Sequence, residues 1–149
     1  MTPQHLAASV AEFLAETHKD FRGSDPKIHD RPLLCVPGYI RQRTGQQEVQ
    51  LPHIAVRIGR IDDRDDGSDV TLFIIHATYN TAEDDGWLEI VNMMEASRQA
   101  MLKHRFVGKK YRLELPMASE IQPEQPRPVW VGVIVATYSI FQTEEEVIY

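Results

Sequence analysis

The sequence predicts an α+β domain: a mainly antiparallel sheet of about four to six strands packed against two helices, in the order α-β-β-β-α-β-β. Three observations carry this. Residues 53–61 and 70–79 read as strands on either side of an Asp- and Gly-rich tip. Residues 3–18 and 80–108 show helical apolar spacing with start and stop signals. The stretch VWVGVIVATYSIF near the end is apolar on both faces, which suits a strand that is central in the sheet or covered by another subunit.

At the N-terminus, Thr2 is placed to cap a helix whose first position is Pro3, where no backbone donor is needed. Leu6, Val10, Phe13 and Leu14 then share one face. Residues 21–52 form an irregular segment: FRGSDPKIHDRP reads as loop, LLCVPGYIRQ as a short strand pair, and RTGQQEVQLP as a polar connection. The sheet and second helix occupy 53–141, and 142–149 is an acidic, then apolar, tail that frays unless something holds it.

In the strand HIAVRIGRI, Ile54, Val56 and Ile58 fall on one side; VTLFIIHATY is β-branched and aromatic with no breaker. A turn centred on Asp65 and Asp66 sets Val56 opposite Ile75 and Ile58 opposite Phe73. In that register His53 and His76 share the face away from Ile54. The second helix has Glu83, Asp84 and Asp85 at its start and Lys103, His104 and Arg105 at its end, matching the helix dipole. Its expected buried stripe is Trp87, Ile90, Val91, Met94 and Met101, with Gly108 as its stop. A strand KYRLELPM follows, then the proline-rich connector ASEIQPEQPRP.

Composition narrows the function classes. Hydrophobic residues make up 42% and charged residues 26%, ordinary for one globular domain large enough to bury a core. The sequence shows neither a secretory leader pattern nor an apolar run of membrane-spanning length. A net charge of −6 opposes nucleic-acid binding, and the basic clusters are confined to residues 41–43 and 103–112. Cys35 is the single cysteine, which excludes an intrachain disulfide and a multi-cysteine zinc site; in LLCVPG it reads as a small buried apolar group.

The acidic tip DDRDDGSD invites a calcium-loop reading, and the spacing refuses it. With Gly67 at loop position 6, Arg64 stands at position 3 and Phe73 at position 12, where oxygen ligands are required. The tip therefore reads as a solvated hairpin turn. No G-x-S-x-G, phosphate-binding loop or G-x-G-x-x-G is present. His53 and His76, one diagonal step apart in the register above, are the remaining candidate for a shared cation, beside Arg57 and without a third ligand.

The order of elements in 52–140 resembles the tail-terminator (tail-completion, minor tail) proteins of long-tailed bacteriophages and prophages. The matching features are P-x-I-x-V-R opening a hairpin with an acidic tip, HATYN leading into DDGW and a helix, then YRLELPM, EQPRPVWVGV and ATYSI. The resemblance implies a non-enzymatic virion subunit without cofactor or metal that assembles as a hexameric ring. Such a ring caps the tail tube, ends its polymerisation and joins the head through head-completion or connector proteins. Its implied place is the head-proximal end of the virion tail, after assembly in the host cytoplasm, with DNA passing through the lumen without sequence-specific binding.

The exposed hairpin tip and connector supply the candidate subunit or tube contacts: Asp62, Asp63, Arg64, Asp65 and Asp66, and Gln122, Glu124, Gln125, Arg127 and Trp130. A head–tail connector or tube subunit is the neighbouring alternative. A small metal-binding hydrolase using His53 and His76 is the alternative from another class.

Overall fold

The structure, a computed structural model, describes residues 2–40, 50–108 and 110–141. Its elements are α1 (Pro3–Thr17), β1 (Leu34–Pro37), β2 (His53–Arg64), β3 (Gly67–Tyr79), α2 (Gly86–Lys103), β4 (Phe106–Val107), β5 (Tyr111–Glu120) and β6 (Val129–Phe141). They build an α+β fold with a six-stranded sheet in the order β1-β2-β3-β6-β5-β4, antiparallel except for the β1–β2 pair. The basic cluster at 41–43, the polar connection up to residue 49 and the tail 142–149 lie outside the described residues.

The sheet is curled, and both helices pack on its concave face. Leu6, Val10 and Leu14 of α1 and Ile90, Met93 and Met101 of α2 share one core with Ile54, Val56, Leu72, Ile74, Ile134 and Tyr138. The curl lets α1 reach strands far apart in the sheet order. It packs on β1 and β2, while the Nδ1 of its His5 lies 2.6 Å from the Tyr111 hydroxyl on β5. Thr2 caps α1, its Oγ accepting from the His5 N–H at 3.1 Å.

The other face of the sheet is covered at one end. There the 21–52 segment sets Ile28 and Leu51 against Ala77, Tyr79, Val129 and Val131. The described parts of that segment thus cover a second, smaller apolar cluster. Beyond it Ile75, Val133 and Val135 stay half-buried and Phe73 exposed.

Several expectations change in the folded chain. Among the described residues of LLCVPGYIRQ there is one strand, β1, which pairs parallel with β2. The second helix stops at Lys103 because Phe106 and Val107 pair with Arg112 and Tyr111 as β4; Gly108, at φ 61°, then serves the turn between β4 and β5. Trp87 is 48% exposed and outside the stripe, which runs instead through Ile90, Met93, Met94, Ser97 and Met101. β6 lies inside the sheet, between β3 and β5, which explains why neither of its faces is polar.

The hairpin register is correct at the tip and wrong at the base. Asp62 faces Asp69 and Arg64 faces Gly67, as a turn centred on Asp65 and Asp66 requires. A bulge between Ile58 and Arg60 then shifts the pairing by one, so that Val56 faces Ile74 and Ile58 faces Leu72. Gly59 permits this, since a Cβ there would stand 2.2 Å from the Phe73 ring. One step of slip turns every side chain beyond it to the other face.

Candidate functional site

The hairpin tip carries its own ion pairs. Arg64 grips Asp69 with two bonds of 3.0 Å, Nε to Oδ2 and Nη2 to Oδ1, and reaches Asp66 at 2.6 Å through Nη1. Ser68 Oγ donates to Asp63 at 2.6 Å, and Arg60 Nε pairs with Asp62 at 2.9 Å. Asp62, Asp63, Arg64, Asp65 and Asp66 are all exposed. The charges keep the tip solvated and shaped, and exposed pairs of this kind add little stability. Among the described residues no group of three His, Cys, Asp or Glu side chains is arranged to hold a metal ion.

The connector 121–128 is pinned to the sheet by one side chain. Gln125 accepts from the Val131 N–H at 2.7 Å and donates to the Val131 carbonyl at 3.0 Å and the Gln122 carbonyl at 2.9 Å. Its amide thereby copies a strand's backbone edge. Gln122, Glu124 and Arg127 are exposed. Trp130 is not: it is buried, with its indole N–H donating to the Asn80 carbonyl at 3.1 Å, and the Arg127 guanidinium carbon lies 5.9 Å from its ring centre. Of the ten candidate contact residues, Trp130 serves as an anchor beneath the surface rather than as part of it.

Gly86 opens α2 directly under that indole; a Cβ there would come within 2.8 Å of Nε1 and 3.0 Å of two ring carbons. Gly86→Ala sets the better helix propensity of alanine, up to about 1 kcal/mol, against a rigid, buried ring that has no room to yield. Overpacking costs about 1–3 kcal/mol, so we expect a net loss of about 1–2 kcal/mol, read as a lowered urea midpoint. A more stable Gly86→Ala protein would mean that the indole can move.

The histidines fall differently from the sequence register. His53 now pairs with Ala77 and His76 with Ile54, so the two rings leave the sheet on opposite faces. His53 Nδ1 donates to the Gln50 carbonyl at 2.8 Å, and burial lowers its pKa. His76 is fully buried in the core. The His53–His76 pairing expected on one face is therefore corrected, and the cause is the bulge at Gly59.

In its place the fold builds a buried polar chain. Ser97 Oγ lies 2.7 Å from His76 Nε2 and 2.7 Å from His18 Nε2, all three buried between α1, α2 and β3. The proton positions follow from the partners. His76 Nδ1 faces the Ile74 carbonyl at 3.0 Å, so it carries the hydrogen and Nε2 is an acceptor. Ser97 then donates to His76, and His18 Nε2–H donates to Ser97. Burial holds both rings neutral, pushing His76 down to about 3 and lowering His18. A serine beside a histidine is the geometry of a nucleophile and its base. Here the hydroxyl has no exposure and the imidazole is bound to a backbone carbonyl, so the set locks helix to sheet.

A groove of about 630 Å³ lies between the 21–26 loop and α2, with Asp25, Asp85, Glu89, Asn80 and Asn92 on its walls. Two of its carboxylates, Glu89 and Asp25, are occupied. Glu89 accepts from the Ser24 N–H and hydroxyl, from Thr78 Oγ1 and from Asn80 Nδ2. Asp25 accepts from the Lys27 and Thr81 backbone and from the Thr81 hydroxyl. They fasten the loop over the end of β3. Cys35 packs half-buried against the core, and burial pushes its thiol up to about 12, far from thiolate chemistry at neutral pH.

The large apolar side chains left exposed include Ile58 (42%) and Ile61 (47%) on β2 and Leu115 (53%) on β5. Among the described residues the strand edges beside them are unpaired: β1 pairs with 53–56 of β2, and β4 with Tyr111 and Arg112 of β5. The sequence matches no family model and no curated protein.

Proposed function

We propose that this chain is a structural assembly subunit of the phage tail-terminator kind, forming a ring that caps a tail tube and offers the joining surface to head-completion proteins. The observation that carries the reading is the long β2–β3 hairpin. Its outer half runs past β1 with Ile58 and Ile61 exposed on an edge unpaired among the described residues, as befits a subunit that completes its surface against a neighbour. The order of motifs across 52–140 supports the same reading, as does a net charge of −6, which suits a conduit through which DNA slides without adhering. Binding at edges and tips performs such a task without any bond-making chemistry.

Two experiments test it. Ring formation predicts a particle near six times 17.1 kDa in sedimentation at high protein concentration. Removing the gene from its phage is expected to leave overlong tails without heads. A complete absence of tails would point instead to a tube subunit, and normal tails with unjoined heads to a connector.

A further inference from the structure

We infer that copies of this chain join head to tail through the two sheet edges left unpaired among the described residues, residues 57–61 of β2 in one copy lying against residues 114–121 of β5 and its continuation in the next. The inference rests on the ring reading and assigns its contact. The two edges are complementary in charge. The stretch RIGRI on β2 carries Arg57 and Arg60 and no acid, while ELPMASEI from β5 onward carries Glu114 and Glu120 and no base.

They are complementary by face as well. Arg57 and Arg60 pair with Phe73 and Thr71, and Glu114 and Glu120 pair with Thr137 and Val133; Thr71 and Thr137 face each other, and all lie on the convex face. Ile58 and Ile61 pair with Leu72 and Val70 and so lie on the concave face, like Met117, which packs on the core. When one sheet continues into the next its faces are preserved, so arginines meet glutamates on one side and apolar groups meet on the other.

Arg57 has an unmet demand. Its guanidinium lies 4.3 Å above the centre of the Tyr39 ring, and its Nε is buried without a hydrogen-bond partner among the described residues. A carboxylate arriving at this edge supplies the acceptor. Arg60 holds Asp62 in an exposed pair that is cheap to exchange. The bulge at Gly59 and Pro116 in β5 prevent a long continuous ladder, so the contact relies on side chains and is salt-sensitive, not an indefinitely extending sheet. A contact between two different edges is heterologous, and the curl of the sheet inclines one edge to the other, so that successive copies rotate towards closure.

The test uses two full-length charge-reversed chains, Arg57→Glu/Arg60→Glu and Glu114→Arg/Glu120→Arg. Each alone places like charges at every contact, and its association in sedimentation should weaken at least tenfold relative to wild type. Mixed in equal amounts, they restore opposite charges at every contact of an alternating assembly, so association should return with both chains at one-to-one. Circular dichroism checks that each variant is folded. Wild-type assembly with undiminished assembly of either variant overturns the edge assignment and leaves the ring reading standing. Failure of the mixture to recover overturns it too. A wild-type chain that stays monomeric at every concentration overturns the ring reading itself.

Discussion

Ser97→Ala is expected to destabilise the fold by about 2–6 kcal/mol, because one missing hydroxyl strands two buried partners at once. His18 Nε2–H loses its acceptor and His76 Nε2 its donor, both at sites closed to solvent. Each orphaned group costs about 1–3 kcal/mol, against a total stability of about 5–15 kcal/mol for a domain of this size. A urea titration measures the loss as a lowered midpoint. Gln4→Ala, on the exposed side of α1, is the control and should stay within about 0.5 kcal/mol of wild type. If Ser97→Ala also stays that close, the hydroxyl does not join helix to sheet.

Acidification from pH 7 to pH 5 should cost about 2 kcal/mol through His76 alone. The folded ring has its pKa pushed by burial to about 3, against an ordinary 6.5 once unfolded. Above 6.5 neither state binds a proton, and there is no effect. Between 6.5 and 3 the unfolded chain takes up a proton that the folded core refuses, and stability falls by up to about 1.4 kcal/mol per pH unit. Below 3 both states are protonated and the loss stops growing. His18 and His53, also lowered by burial, act in the same direction. The window from 6.5 to 5 lies above the carboxylate range, so melting temperatures measured across it isolate the histidines. His76→Gln, which does not titrate, should flatten the decline; an unchanged slope in that variant would assign the acid sensitivity elsewhere.

The buried set behind both expectations was partly visible beforehand. Ser97 stands three residues after Met94 and four before Met101, on the same helical stripe, which marks it as inward-facing. His76 alternates with Ile74 and Thr78 in a strand, so those three share a face. Which face, and opposite what, depended on the register. Gly59 inside an otherwise regular strand was the available sign of a bulge. Taking the turn alone to set the pairing carried the tip's register past Gly59, and that placed His53 and His76 together. Trp87 fails for a different reason: the buried stripe runs through Gly86, Ile90, Met93, Ser97 and Met101, so Trp87 lies one residue round the helix and its indole N–H turns to the Asp84 carbonyl at the surface. Likewise nothing local to LLCVPG shows that it pairs parallel with a strand some 19 residues later.

By itself the sequence determined the α+β class, the two helices, the hairpin with its solvated acidic tip and the apolar character of both faces of the last strand. All of these rest on short-range periodicity, capping and turn chemistry, which act between residues a few positions apart. Tertiary structure alone decided the bulged register, the joining of His18, Ser97 and His76, the burial of Trp130 and which strand edges are unpaired among the described residues. Those outcomes are set by groups distant in the chain competing for the same space, as the Phe73 ring does over Gly59 and the Trp130 indole over Gly86. A residue's own neighbours in sequence carry no record of that competition.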